Sequence, residues 1–325
     1  MGKRLRPHTL TTPKPLVKVA GKPMVEHLVN ELISQVSEPI KQIGFIIGRF
    51  GKETENMLLK IAQNAGATGR IFYQDEALGT AHAILCAGSL LDGSVIIAFA
   101  DTLFRADFKL DKTIDGSLWV EKVENPTAFG VVQLNAKGEI ISFVEKPSTF
   151  VSNLAMIGIY YFKNGKTLKT ELQYLIDNNI MNGGEYQLPD ALRNMVEKGA
   201  VFTPGTVIEW LDCGNYEATV NTNKQWLAYK NNDSFIDRSV KKENAIIINP
   251  CYIGPGVEIK NSVVGPFVTL DGNNKIENAV IENCLIGDNT HIANKVIFAS
   301  MIGKNTTLTG RPEKLSVGDF NRVEG

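Results

Sequence analysis

Two cations near the start of the chain, Arg4 and Lys14, stand in a stretch that has neither helix nor strand period. It reads Gly2-Lys3-Arg4-Leu5-Arg6-Pro7-His8-Thr9, then Thr12-Pro13-Lys14-Pro15-Leu16, then Gly21-Lys22-Pro23-Met24. A glycine such as Gly2 lets backbone N–H groups approach an anion, and Arg4 and Lys14 supply positive charge to it. Pro7, Pro13 and Pro15 stiffen the loop that carries them. The chemistry this favours is phosphate binding; a rigid surface loop is the other reading of the same residues. Two carboxylates stand at the ends of apolar runs. Asp101 follows residues 95–100 directly, and Asp212 closes Trp210-Leu211 ahead of Cys213-Gly214. Ligands of open α/β sheets bind outside the carboxyl ends of the strands. A carboxylate there can hold Mg²⁺, although an Asp also caps turns. Mg²⁺ takes few carboxylates alongside substrate phosphate oxygens, so Asp101 and Asp212 could share one ion. Glu145-Lys146-Pro147 ends a further apolar run, where a solvated charge pair is the plainer reading.

These groups need elements to position them. Val25, Leu28, Val29, Leu32, Ile33 and Val36 fit one helical face, with Pro23 in the first turn. Residues 43–47 read as a buried strand, 52–65 as a helix stopped at Gly66, and 71–74 as a strand. Gly79-Thr80-Ala81 opens a helix to about residue 87. Residues 95–100 have no polar break, which suits the middle of a parallel sheet covered on both faces. Strand and helix alternate, so this part is α/β with a mixed, mainly parallel sheet. From Trp119 the pattern changes. Strands at 131–134 and 139–144 flank the turn Asn135-Ala136-Lys137-Gly138, and a strand follows at 155–162. Helices at 168–178 and 187–197, a strand at 207–211 and a helix at 216–229 complete it.

The order of these motifs carries a resemblance. Gly-x-Arg-Leu-x-Pro-x-Thr, Pro-Lys-Pro-Leu and Gly-Lys-Pro-Met, in that sequence, resemble the signature of sugar-1-phosphate nucleotidylyltransferases, in particular glucose-1-phosphate thymidylyl- and uridylyltransferases. The resemblance implies a Rossmann-like nucleotidyltransferase domain over residues 1–229. It implies that Arg4 and Lys14 hold triphosphate, with Gly2 in the phosphate loop. Asp101 and Asp212 match the metal-binding aspartates. Glu145-Lys146-Pro147 matches a motif whose Glu accepts hydrogen bonds from sugar hydroxyls and whose Lys grips the sugar phosphate. Phe129-Gly130-Val131-Val132 is similar to a Tyr-Gly-Val-Val segment in which Gly130 lets backbone meet the sugar, and Gly158 fits the sugar-lining strand. Gln74, Gly79 and Thr80 resemble the base-recognition segment; a glutamine amide can both donate to and accept from a base edge. The implied reaction joins a nucleoside triphosphate, dTTP or UTP favoured, to a sugar 1-phosphate, glucose 1-phosphate favoured, with Mg²⁺ as cofactor.

Residues 230–244 are polar and read as a linker. Beyond it Ile253, Ile259, Val264, Leu270, Ile276, Ile281, Ile286, Ile292, Ile297, Ile302 and Leu308 recur every five or six residues. Gly254, Gly265, Gly287 and Gly303 each follow one of them, as corner residues would. One inward aliphatic per short repeat is a β-solenoid signature, and residues 245–310 resemble the left-handed β-helix of hexapeptide-repeat proteins. Residues 311–325 form a C-terminal tail. The repeats carry no clustered titratable groups and read as a scaffold for self-association into a homo-oligomer.

Composition narrows the classes. The 325 residues carry a formal net charge of −1, so no bulk attraction to nucleic acid or an anionic membrane is expected. No apolar run spans a bilayer and the start lacks a signal-peptide core, which points to a cytoplasmic protein. Cys86, Cys213, Cys251 and Cys284 have no metal-ligand spacing and read as reduced thiols. Two rival functions stay open. One is acyl transfer on the repeats, which would need His291, the only His there. The other is a catalytically silent regulatory subunit that binds nucleotide-sugar; Lys14, Asp101, Lys146 and Asp212 all being present argues against it. Family members carry an apolar strand and an Ala-Gly pair upstream of the phosphate loop, so Met1 is expected to be an internal methionine of a longer chain, with Met1 and Gly2 beside an unfilled sheet position.

Overall fold

The computed structural model describes residues 3–106, 110, 113–229, 235–311, 316, 317, 319, 320 and 322. Met1 and Gly2, and the expectations placed on them, lie outside the described residues. The chain opens with short 3-10 turns at Lys3–Leu5 and Lys14–Leu16 and a hairpin of β1 (Lys18–Val19) and β2 (Lys22–Pro23). Then come α1 (Met24–Ser34), β3 (Gln42–Ile47), α2 (Lys52–Asn64), β4 (Thr68–Tyr73), α3 (Thr80–Cys86), β5 (Val95–Ala98), β6 (Thr102–Arg105) and β7 (Gly116–Lys122). β8 (Gly130–Leu134), β9 (Ile140–Glu145), β10 (Leu154–Phe162), α4 (Gly165–Asp177), α5 (Leu188–Glu197), β11 (Phe202–Thr206), β12 (Glu209–Asp212) and α6 (Tyr216–Tyr229) follow. Ten strands complete the chain: β13 (Phe235–Ile236), β14 (Lys241–Ile247), β15 (Cys251–Ile253), β16 (Glu258–Val264), β17 (Val268–Leu270), β18 (Lys275–Glu282), β19 (Leu285–Ile286), β20 (His291–Phe298), β21 (Met301–Ile302) and β22 (Thr307–Thr309). They form two compact units.

One unit comprises Pro13–Leu16 and Met24–Asp212. It holds the expected mixed sheet. Parallel pairing joins β3 to β4 and β11 to β7. The nine-residue β10 runs antiparallel to β5, β7 and β8, giving the order β11-β7-β10-β8-β9 with β5 also on β10. The apolar run around β5 therefore has an antiparallel partner, where its composition suggested parallel neighbours on both sides. Leu168, Leu172 and Leu175 of α4 and Leu188, Ala191 and Leu192 of α5 are fully buried on one core with Leu118, Phe143, Phe162 and Phe202. Each of these leucines and phenylalanines contributes about 1.5–3 kcal/mol on burial. α1, α2, β3 and β4 share a second core around Phe45, Leu58 and Ile61. The expected hairpin forms β8 and β9: Asn135 Oδ1 accepts from the N–H groups of Lys137 (2.9 Å) and Glu139 (3.0 Å). β6, β7 and β11 were not legible in full as strands. β11 carries Pro204 and Gly205, which suits an edge strand, and Gly205 lies against the Trp119 ring.

The other unit comprises Met1–Thr12, Val17–Pro23 and Cys213–Gly325, described as far as its residues allow. Its solenoid has two parallel faces, β13-β15-β17-β19-β21 and β14-β16-β18-β20-β22. Ile259 pairs with Ile276, Ile276 with Ile292 and Ile292 with Leu308, so a coil takes 16 or 17 residues. All eleven recurrent aliphatics line or pack against one core. The first strand, β13, lies inside the stretch read as a linker. The corners differ from the glycine expectation. Asn244, Asn261, Asn278 and Asn294 occupy one corner at φ 47–54° and pass side-chain amide bonds of 3.0–3.2 Å from coil to coil. Asn tolerates this left-handed conformation. Gly254 and Gly287 instead face the backbone of the next coil, where a Cβ would stand 3.0 and 2.7 Å away.

The hairpin β1–β2 belongs to this solenoid unit. Lys18 Nζ lies 2.9 Å from Asp288 Oδ2 and 3.4 Å from Asp271 Oδ2, and Gly21 packs against the Tyr252 ring. Burial pushes the Asp271 carboxyl up to about 6, outweighing the attraction of Lys18. Burial pulls Lys18 down, but Asp271 and Asp288 outweigh it and its pKa is raised.

Candidate active site

Sheet register brings the two aspartates together. Asp101 lies in the turn before β6, β6 pairs antiparallel with β12, and Asp212 stands opposite Thr102, the residue after Asp101. Neighbouring strands lie about 4.8 Å apart, so both carboxylates emerge at one end of one ladder. Trp210 Nε1 donates to Thr102 Oγ1, and Phe129 packs edge-on against the Trp210 ring with centroids 5.1 Å apart. Lys14, in the turn Lys14–Leu16, reaches the same spot: its Nζ lies 3.5 Å from Asp101 Oδ2. Lys14 is 13% exposed and Asp101 59%, so a nearly buried cation faces an accessible carboxylate.

A second cluster forms where β8 and β9 pair. Gly130 stands opposite Glu145, and a Cβ on it would come 2.6 Å from Glu145 Oε2 and 2.5 Å from Met156 Cε. The carboxylate therefore lies across the glycine, over backbone that a side chain would cover. Lys146 has φ 44°, donates its N–H to Phe129 O (3.1 Å) and holds Nζ 3.7 Å from Glu145 Oε1. Its conformation turns the chain out of β9, so Glu145 and Lys146 present their side chains together. Gly158 sits where β10 shifts register against β7, and its carbonyl accepts from Phe99 N–H (2.9 Å). One carboxylate of each cluster, Glu145 and Asp101, acts electrostatically on Tyr160. Its phenol is fully buried and its pKa is raised, first by burial and then by the charges of Glu145 and Asp101.

The third group closes β4. Gln74 donates from its backbone N–H to Ile47 O (2.9 Å) and from Nε2 to Gly79 O (3.0 Å). Nε2 also lies 3.2 Å from His82 Nδ1. Gly79, at φ 107°, starts α3 where a Cβ would strike Tyr186 O. The Thr80 hydroxyl is engaged within the protein: it accepts from Leu188 N–H (2.8 Å) and donates to Gln187 Oε1 (3.2 Å). It ties the starts of α3 and α5 together. Arg4 is exposed in the turn Lys3–Leu5 and belongs to the solenoid unit. Sequence reasoning missed His82, Thr102 and Met156. His82 alone had a signal, three residues after Gly79 and so facing back over the first turn.

Among the described residues no group of three or more His, Cys, Asp or Glu side chains could hold a metal ion. Asp101 and Asp212 offer two carboxylates and need further oxygens from elsewhere. No helix of the described residues is long and apolar enough to cross a membrane.

Residues 1–228 match the nucleotidyl transferase family. The chain belongs to that family. It is 29% identical to the bifunctional protein GlmU of Methanococcus vannielii, over 98% of this chain and 74% of the relative. It is 28% identical to the low-salt glycan biosynthesis nucleotidyltransferase Agl11 of Haloferax volcanii, over 98% and 94%. It is 25% identical to a glucose-1-phosphate thymidylyltransferase of Streptomyces griseus, over 99% and 96%. A crystal structure described as a glucose-1-phosphate thymidylyltransferase of Bacillus anthracis, with sucrose, shares the fold at TM-score 0.60 and 24% identity, covering 73% of this chain and 94% of that one.

Proposed function

We propose that this nucleotidyltransferase moves a nucleotidyl group from dTTP or UTP to a sugar 1-phosphate, glucose 1-phosphate being favoured, and releases pyrophosphate. The observations that carry the reading are Lys14 paired with Asp101 beside Asp212, and Glu145 paired with Lys146 opposite Gly130. Lys14 neutralises triphosphate charge. Lys146 grips the sugar phosphate and aims its oxygen at the α-phosphorus. Glu145 accepts from sugar hydroxyls above Gly130, with Gly158 lining the same side. Gln74, Gly79 and Thr80 form the base end. The oxygen attacks in line and pyrophosphate leaves, with no covalent enzyme intermediate; positioning and charge neutralisation supply the rate. Asp101 and Asp212 are the residues that would hold Mg²⁺, which neutralises charge on the reacting phosphates when bound. Two carboxylates completed by phosphate oxygens and water suit Mg²⁺. Pyrophosphate release measured over a matrix of nucleoside triphosphates and sugar 1-phosphates tests the reading; release that needs no sugar 1-phosphate would overturn it.

A second reading has one observation behind it. His291 Nε2 lies 3.1 Å from Glu277 Oε2 on the outer face of the solenoid, and such a pair can serve acyl transfer. Turnover of acetyl-CoA, lost in His291→Ala, would support it. The solenoid also exposes an in-register apolar column of Ile246, Val263, Val280 and Val296, with Val296 80% exposed. We assign this face to self-association as a homo-oligomer in the cytoplasm. Val280→Glu with Val296→Glu should lower the mass measured by light scattering to that of one chain, and an unchanged mass would refute the assignment.

A further inference from the structure

We infer that His82 tunes base specificity as the second acceptor, beside the Gly79 carbonyl, that holds the Gln74 amide in one orientation, which presents an acceptor and selects a base carrying an imino N–H. The inference rests on the nucleotidyl-transfer reading. The Gly79 carbonyl already receives the Ala83 N–H (3.1 Å), and a carbonyl only accepts. The Gln74 atom 3.0 Å from it is therefore the amide nitrogen; turning the amide over would set two oxygens face to face. That nitrogen has a second N–H and no lone pair to offer. His82 Nδ1, 3.2 Å away, must then be the acceptor, which makes His82 the neutral imidazole with its proton on Nε2.

Both ends of the Gln74 side chain are held. Its backbone is tied to Ile47 O beyond the last parallel pair of β3 and β4, and its amide to Gly79 O and His82. Gly79 packs against the Tyr186 backbone, with no room for a Cβ between them. Oε1 meets no donor among the described residues and stays open to solvent. An open, fixed acceptor distinguishes uracil and thymine from cytosine. The N3 atom of the first two is a donor, whereas that of cytosine is a lone pair, which would face the Oε1 lone pairs. His82 is a positioning residue in this account: it acts through Gln74 and touches no substrate.

The experiment compares UTP with CTP in wild type, His82→Asn and His82→Leu. Asn places Oδ1 where Nδ1 stood and keeps the acceptor; Leu removes it. The ratio of kcat/KM for UTP over CTP should stay within about threefold of wild type in His82→Asn. It should fall about tenfold in His82→Leu, through KM, with kcat on UTP largely kept. An unchanged ratio in His82→Leu, or an equal loss in His82→Asn, overturns the inference. Should His82→Leu not fold, His82→Ala at this half-buried position makes the same deletion. Calorimetric binding of UTP and CTP reads the same selectivity without turnover. Selective binding lost in His82→Leu with no pyrophosphate release by wild type would support this inference and overturn the nucleotidyl-transfer reading. Equal binding of both nucleotides by wild type overturns the inference itself.

Discussion

Gly130→Ala isolates the sugar end of the proposed site with one methyl group. The added Cβ would stand 2.6 Å from Glu145 Oε2 and 2.5 Å from Met156 Cε. Ordinary contacts begin at about 3.4 Å, so the carboxylate and the thioether must each retreat by roughly 0.8–0.9 Å. Both are far ends of flexible side chains, and the backbone at Gly130 is within β8, so the fold should survive with little change in melting temperature. Glu145, however, would leave the position from which, in the proposed site, it would meet sugar hydroxyls. Misplacement by about 1 Å costs up to about 100-fold, so a shift of this size should cost about tenfold in kcat/KM for the sugar 1-phosphate. Steady-state kinetics with each substrate varied in turn reads the effect. KM for the nucleoside triphosphate should change less than about twofold. An unaltered KM for the sugar 1-phosphate, or an equal rise in both, refutes the placement of Glu145 over Gly130 as the sugar subsite.

Three further outcomes follow from the same geometry. Asp101→Ala and Asp212→Ala should each lower turnover by orders of magnitude with an unchanged circular dichroism spectrum, since loss of metal-borne charge neutralisation costs several kcal/mol; near-normal turnover removes that residue from the site. Lys146→Ala should raise KM for the sugar 1-phosphate far more than for the triphosphate, and Lys14→Ala the reverse; a rise against one substrate in both variants breaks the assignment. Asp271, with its carboxyl pushed up to about 6 from an unfolded value near 3.8, binds a proton more tightly when folded, so its contribution to stability falls as pH rises through that window. Against wild type, Asp271→Asn should gain about 2–3 kcal/mol in denaturant unfolding between pH 4 and pH 7, and a pH-independent difference would show that the buried carboxyl does not titrate there.

Local pattern carried much of the architecture. α1, α2 and the solenoid core were legible because their apolar residues recur at the period of the element that buries them. The hairpin of β8 and β9 was legible too, since Asn135 and Gly138 mark its turn, but the register shift after Gln133 that leaves Gly130 opposite Glu145 was not. What local pattern lacked was pairing at a distance. β6 and β12 are some hundred residues apart, and neither hints that their register will set Asp212 beside Asp101. The antiparallel partner of β5 is also remote, 61–67 residues on in β10. Composition also misled at the solenoid corners. Glycine is the usual residue for φ > 0, but here asparagine takes the corner and adds a ladder of amide bonds, while glycine marks close approach between coils. Within the site, Gln74 stood out in the sequence as an amide able to face a base edge, whereas its contacts with Gly79 and His82 form only in the folded chain.

The central claim is transfer of a nucleotidyl group to the phosphate oxygen of a sugar 1-phosphate. Glucose 1-phosphate carrying ¹⁸O at every phosphate oxygen, incubated with UTP or dTTP, Mg²⁺ and the full chain, tests it by mass spectrometry of both products. Attack by the sugar phosphate on the α-phosphorus predicts a nucleotide-sugar that retains all of the label and pyrophosphate that has none. Label in pyrophosphate, or labelled inorganic phosphate with no nucleotide-sugar formed, would contradict it.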